Sequence, residues 1–494
     1  MSTKPCSSHD PSQSKVHYER RRPEASVLYQ LVQDNLETFL AQMKAESDGG
    51  LPEFVKKEFD AFLECGILAH GFVRARCGDC AHEKLVAFSC KRRGFCPSCG
   101  ARRMAESAAH LVDQVIPRVP VRQWVLSFPL PLRYLLAAHP DVLAPILKIV
   151  NRAVSNHLID KARFRRSEAK GGAVTLIQRF GSAANLNIHL HALVLDGVYR
   201  EEGEAVVFHA VPAPTDKEIT AVLGQIVTKT MALLTRAGYV VEEEGRATVA
   251  SDNEEGVLAP LQAASITYRI AYGPRQGQKL LTLQSQAAPS PAEKKRCVSL
   301  HGFSLHANVR CAANARQPLE RLCRYITRPA LANERLAINP AGQVVLELKT
   351  PYRDGTTHLL FSPLEFLQRL AALVPRPRLN LIRFHGVLAP NAKWRAQIVP
   401  GGQAKVADPQ ELLDAEHAAD NPGSPCYRIN WARLLKRVFK SDIAACPECG
   451  GELKIIAAIT QPSAINKLLT HFGLPARAPP RAPAKLHLAH SFDF

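Results

Sequence analysis

Residues 185–196 read Asn-Leu-Asn-Ile-His-Leu-His-Ala-Leu-Val-Leu-Asp, an apolar run carrying two histidines one residue apart. On a strand, positions i and i+2 share a face. His189 and His191 therefore project side by side, and Leu190 points into the opposite layer. Two imidazoles on one pleat make half of a divalent-ion site. A second apolar run, Ala173 to Phe180, lies just upstream, separated by Gly-Ser-Ala-Ala-Asn. That pattern predicts a hairpin with a loop longer than the tight two-residue type. The hairpin brings Gln178 towards the histidines as a third ligand, a neutral oxygen compatible with a hard ion such as Mg or Mn. Asp196, at the strand end, is the alternative ligand, competing with a role as loop cap.

Working outward, the pattern is α+β: a zinc-binding module, a central antiparallel-sheet domain with flanking helices, and a small terminal CxxC unit. Val27 to Met43 has helical spacing, with Leu28, Leu31, Val32, Leu36, Phe39 and Leu40 on one stripe. A second helix follows Leu51-Pro52. Val121 to Phe128 reads as a strand stopped by Pro129, and Asp141 to Ala162 and residues 216–237 as helices. Residues 263–310 look strand-rich. A short helix spans Gln317 to Ile326, ended by Pro329. Strands are predicted at Val344–Leu348, His358–Phe361 and Leu379–Val387, with a helix at 363–374. These elements divide the chain into a disordered basic arm (1–25), a helical and cysteine-rich domain (26–110), a central sheet domain (111–400), a linker (401–425), the CxxC unit (426–477) and a tail (478–494).

Six of the 13 cysteines lie between Cys65 and Cys99. Clustering of this kind in a long chain without a signal peptide means metal rather than disulfides. Cys77-Gly-Asp-Cys80 and Cys96-Pro-Ser-Cys99 are 15 residues apart. Two such knuckles predict one closed tetrahedral zinc site, structural because four thiolates leave no open position. Cys65, His70, His82 and Cys90 are candidates for a second zinc. Cys446 and Cys449 offer two more thiolates, to be completed by Cys426, His471 or another chain. Lys91, Arg92, Arg93, Arg102 and Arg103, held beside the knuckles, are suited to phosphate contacts.

Charge points the same way. With 63 Lys and Arg against 45 Asp and Glu, the formal net charge is +18. Such a surplus favours a polyanionic partner, and nucleic acid comes before membrane because no basic amphipathic anchor stands out. No run of 18 apolar residues predicts a membrane span. The N-terminus, MSTKPCSSHDPSQSKVHYERRRPEAS, has no apolar h-region, so the expected location is cytoplasmic. No GxxxxGK[ST] loop is present, so chemistry driven by ATP is not expected.

Taken together, SCKRRGFCPSCGARRM, VTLIQRFGSAANLNIHLHALVLDGVY and GFSLHANVR with LERLCRYITRPALANERL resemble the insertion-sequence ninety-one type of rolling-circle transposase. The likeness runs from about Val27 to Leu474. That family is counted among the HUH endonucleases, in which two metal-binding histidines flank a bulky apolar residue. The resemblance implies a bacterial, nucleoid-associated enzyme with structural zinc and catalytic Mg or Mn. It implies single-stranded or melted element ends and target DNA as partners. It also implies a nucleophilic tyrosine on a helix after the histidine strand, here Tyr325, flanked by Arg324 and Arg328 as contacts to the scissile strand. Members with two tyrosines space them four apart; Arg321 stands at the upstream position here, which places the chain with the single-tyrosine subgroup. Two strand transfers then need either a homodimer or repeated use of Tyr325. Tyr268 and Tyr272 have the two-tyrosine spacing but lie in a stretch that alternates like a strand. Other readings use the same residues: a plasmid replication initiator or relaxase with this chemistry, a metallohydrolase, or a non-catalytic zinc-ribbon DNA-binding protein.

Overall fold

The computed structural model describes residues 22–243, 246–249, 256–285, 295–402 and 445–485. Most of the basic arm, the linker, Cys426, a basic helix expected at Asn430–Phe439 and the end of the tail lie outside the described residues. The described chain forms two units. The smaller joins residues 65–89 to 445–478, and the larger holds the rest from Glu24 onward.

The larger unit is built on an antiparallel sheet. Its strands are β1 (Val121–Ser127), β2 (Gly172–Phe180), β3 (Leu186–Leu195), β4 (Cys297–Leu300), β5 (Phe303–His306) and β6 (Ile382–Gly386), in the order β4-β5-β1-β3-β2-β6. A short strand, Arg310–Cys311, also pairs with β1. The predicted hairpin is β2–β3, with Gln178 opposite His189 and Leu176 opposite His191. Its helices include α1 (Val27–Glu46), α2 (Glu53–Glu64), α3 (Pro97–His110), α4 (Leu143–Lys161), α5 (Asp216–Arg236), α6 (Leu258–Thr267) and α7 (Arg316–Thr327).

Alternation along β2 and β3 makes two cores. Ile177, Leu190, Ala192 and Val194 pack against α4 and α5 through Ile146, Val150, Val154, Val222 and Ile226. Val174, Leu176, Leu193 and Leu195 face the other way, onto Ala108 of α3 and Leu319, Cys323 and Ile326 of α7. The buried positions of α7 are spaced four and three apart, so one stripe is pinned to the sheet and the opposite face is left to water. Tyr325 lies on that outer side.

One expectation fails in this unit. Residues 263–267, the first of the stretch 263–310 expected to be strand-rich, instead finish a helix that begins at Leu258, with Leu258, Leu261, Gln262, Ser265 and Ile266 buried at helical spacing; the rest of the stretch holds the strands Leu281–Gln284, β4, β5 and Arg310–Cys311. Tyr268 ends the helix in the left-handed conformation with φ 59°. It packs edge-on against Tyr352, so Tyr268 and Tyr272 do not form a pair on one helix face.

Asp196 ends the histidine strand. Its carboxylate accepts from Arg122 at 2.9 and 2.8 Å and from Arg310 at 2.9 Å. Arg122 and Asp196 are both almost fully buried, so Asp196 locks β1 to β3 instead of reaching towards the histidines. Asp196→Ala leaves the Arg122 guanidinium buried without its counter-charge. It should cost about 3–5 kcal/mol of stability, measured by denaturant unfolding; a loss below about 1 kcal/mol would contradict this account.

The smaller unit is a three-stranded antiparallel sheet with Phe72–Cys77 between Leu453–Ile459 and Glu83–Ala87. A helix, Pro462–His471, covers it, and the core is small: Leu68, Phe72, Ile465 and Leu469. The terminal CxxC segment is therefore a partner of the 65–89 region within one sheet.

Candidate active site and cysteine tetrads

His189, His191 and Gln178 converge on the α7 side of the sheet. The two imidazole centroids are 4.8 Å apart, and His191 meets Tyr325 edge-on at 6.4 Å. His191 Nε2 and Gln178 Oε1 are 3.2 Å apart. The Gln178 amide nitrogen donates to the carbonyl of Ile326 at 3.3 Å, which ties the third candidate ligand to the residue after Tyr325. All four predicted residues thus meet in one place.

Proton positions follow from the partners. His189 Nδ1 lies 2.8 Å from the Asn187 carbonyl, which only accepts. The proton is therefore on Nδ1, and the Nε2 lone pair is available to a cation. His191 Nδ1 lies 2.8 Å from the Gln123 side-chain nitrogen, which donates. A glutamine amide offers a donor and an acceptor. Gln123 can therefore support either tautomer of His191, including the one whose Nε2 binds metal, if its amide turns over. Sequence reasoning missed Gln123. The available signal was a glutamine in the strand VRQWVLS, on the face that pairs with the histidines.

Burial pushes His189 down to about 4 and His191 to about 3, with the charges of Arg328 and the neighbouring groups adding to the effect. Both rings are neutral at neutral pH, the state a metal ligand needs. The same shift carries an acid penalty. Unfolded histidines take up a proton near pH 6.5, whereas the folded ones resist until about 4 and about 3. Without added divalent ion, stability should therefore fall as pH drops from about 6.5 towards 4. His189→Gln with His191→Gln should flatten that part of the urea-unfolding profile, and an unchanged slope would count against it.

Tyr325 is 44 % exposed. The Arg328 guanidinium lies 4.5 Å from its ring centroid and the Lys349 ammonium 4.6 Å. Lys349 was not anticipated, because it follows a strand remote in sequence. Arg324 instead pairs with Glu320 one turn back, and Arg102 with Glu106. Arg321 is exposed. Lys91, Arg92 and Arg93 form an exposed basic loop, and Arg103 donates to the carbonyls of Lys91 and Arg92.

The cysteines group differently from the spacing-based expectation. Cys77 and Cys80 join Cys446 and Cys449, while Cys96 and Cys99 join Cys90 and Cys65, the residue directly after α2. In each tetrad the sulfurs lie within 4.8 Å of one another. The single quartet Cys77, Cys80, Cys96 and Cys99 is therefore corrected, and so is the set Cys65, His70, His82 and Cys90: neither histidine enters a tetrad. The cause is strand pairing. Cys77 leaves its strand opposite Leu453, so the knuckle entering the 453–459 strand meets the knuckle leaving the 72–77 strand.

Both tetrads fit zinc. Zn–S bonds of about 2.3 Å in a tetrahedron separate sulfurs by about 3.8 Å, and Cys77–Cys449 and Cys80–Cys446 stand at 3.5 Å. Backbone N–H groups of Cys80 and Asp79 lower the Cys77 thiol to about 7, while Cys80 and Cys449, sharing protons with the sulfurs around them, are raised. Gly451 passes so close that a Cβ there would displace the Asp79 carboxylate and crowd the Cys77 sulfur.

Among the described residues, no helix is long and apolar enough to cross a membrane. Residues 32–128 match the family described as "Transposase zinc-binding domain", and residues 172–395 match the family described as "Putative transposase". No curated protein and no solved structure matches the chain.

Proposed function

The chain belongs to the insertion-sequence ninety-one type of transposase, and on that premise we propose that it cuts and rejoins single DNA strands through a covalent bond to Tyr325. The observation that carries this reading is the meeting of His189, His191 and Gln178 with the Tyr325 ring on one face of one hairpin.

A phenol is a weak nucleophile at neutral pH because its pKa is about 10. Arg328 and Lys349, beside the ring, favour the phenolate and offset the charge of an approaching phosphodiester. The Tyr325 oxygen attacks phosphorus and the P–O3′ bond breaks. The phenolic proton goes to solvent, and the departing 3′ oxygen takes up a proton. The product is a 5′-phosphotyrosine and a free 3′-hydroxyl. Because the phosphoester bond is conserved, another 3′-hydroxyl can reverse the step and join new DNA. Mg or Mn held by His189, His191 and Gln178 would supply polarisation of the scissile phosphate. His189, His191 and Gln178 are neutral and lie near Arg328 and Lys349, so they would hold such an ion most firmly beside a bound phosphate.

With Arg321 one turn before Tyr325, a single tyrosine serves each chain, and two protomers or two successive turnovers complete the exchange. The test is incubation with labelled single-stranded element-end DNA and Mg or Mn, followed by a denaturing gel. A covalent adduct is expected. An adduct that persists in His189→Ala with His191→Ala would overturn the metal-assisted reading.

A further inference from the structure

A cavity of about 260 Å³ opens beside the tyrosine helix, lined by the loop before α3, α3 itself, the end of α7 and the strands β2 and β6. One wall is apolar: Leu176, Ile177, Ile326, Leu381 and Ile382. The other is cationic: Arg92, Arg93, Arg103 and Arg328. Among the described residues, no acidic side chain lines it. We propose that this cavity receives one unpaired nucleobase of the DNA strand, with its neighbouring phosphate held by the arginine wall. The proposal rests on the strand-transfer reading and names the part of the substrate that this second site takes.

Size, chemistry and position support it. At about 30 Å³ per water, the volume corresponds to roughly nine waters, ample room for one planar base. A nucleotide is itself divided into an apolar ring with polar edges and an anionic phosphate. The cavity has the matching division, with Ser107, Thr327 and Asn380 as neutral hydrogen-bonding side chains for the base edge. Its wall continues directly from the nucleophile through Ile326, Thr327 and Arg328. Arg328 both lines the cavity and lies over the Tyr325 ring. A strand whose scissile phosphate faces Tyr325 therefore passes an adjacent nucleotide to the cavity mouth.

The cationic wall is also fixed in advance. The Gly94 N–H donates to the buried Glu58 carboxylate at 2.6 Å. Arg93 donates to the Leu379 carbonyl at 3.1 Å, and Arg103 holds the carbonyls of Lys91 and Arg92. Cations that need no ordering on binding lose less entropy when a phosphate arrives. The cysteine tetrad at the start of α3, in this view, anchors a substrate wall as well as a fold.

The test is photo-crosslinking of the full chain with a 12-nucleotide oligothymidylate carrying one central 4-thiothymine, mapped by mass spectrometry. Cross-links are expected at Leu176–Ile177, Ile326–Pro329 or Asn380–Ile382. Ser107→Phe places a ring in the cavity and leaves every arginine, and should cut that yield about tenfold. Arg92→Gln, at an exposed side chain, should reduce the salt dependence of binding by about 0.7 in log–log slope, the share of one phosphate on a single strand. Cross-links confined to other segments overturn the proposal. So does an unchanged salt slope in Arg92→Gln, which keeps the test open if Ser107→Phe fails to fold. A Tyr325 adduct without cavity cross-links removes this inference alone. Cavity cross-links without any adduct support it and remove the strand-transfer reading.

Discussion

Tyr325→Phe should abolish the covalent DNA adduct and lower strand cleavage by on the order of 10⁴–10⁶-fold, the scale seen when an enzyme loses its nucleophile, while single-strand binding stays within about twofold. The change removes one oxygen from a side chain that is 44 % exposed, so no cavity forms. The ring that remains still meets Arg328, Lys349 and His191, and binding and fold should be preserved. Among the described residues, the nearest alternative nucleophiles are not placed to substitute. Cys323 lies on the buried side of the same helix, where burial raises its thiol to about 12. Tyr268 stands at the end of α6, packed against Tyr352. Residual cleavage, if any, should release free 5′-phosphate, because water would be the attacking group. Cleavage within tenfold of wild type, or an adduct that survives, would move the nucleophile elsewhere.

The parts of this site that were legible in the sequence are those set by local period. NLNIHLHALVLD alternates with period two, and its partner VTLIQRF lies a five-residue loop away, so His189, His191 and Gln178 could be brought together before any tertiary contact was known. The tyrosine helix was visible because Leu319, Cys323 and Ile326 repeat at helical spacing, although the choice of Tyr325 came from family likeness. The end of helix α6 was misread because SITYRIAY, residues 265–272, alternates like a strand, although its first three residues close the helix. Gln123 was overlooked although a glutamine inside the apolar strand VRQWVLS was a signal, because its pairing with the histidine strand is set by tertiary structure. Lys349 was invisible for another reason: it reaches the site through a chain return, and nothing in its own neighbourhood marks it.

Zinc shows the same division sharply, and it yields the second large effect. A CxxC knuckle says that two thiolates turn towards one ion, but not which other knuckle completes the site. Here the completing pair is more than 360 residues away, brought in by the pairing of Phe72–Cys77 with Leu453–Ile459. The chain should therefore bind two zinc ions, and Cys446→Ser with Cys449→Ser should bind one. Cys77→Ser should lose that same ion and Cys96→Ser the other, whereas a single quartet of Cys77, Cys80, Cys96 and Cys99 would make Cys77→Ser and Cys96→Ser lose the same one. Metal analysis of the purified variants separates the two cases. The structural consequence should be large, because structural zinc contributes about 10–16 kcal/mol in small finger peptides. The smaller unit has little else to hold it, its core being essentially Leu68, Phe72, Ile465 and Leu469. In the Cys446→Ser, Cys449→Ser protein, amides of residues 72–87 should lose their protection from hydrogen exchange, while those of the 172–195 hairpin, buried between two cores of its own, keep theirs. Retained protection at 72–87 with one zinc missing would mean that the sheet, rather than the ion, holds this unit together.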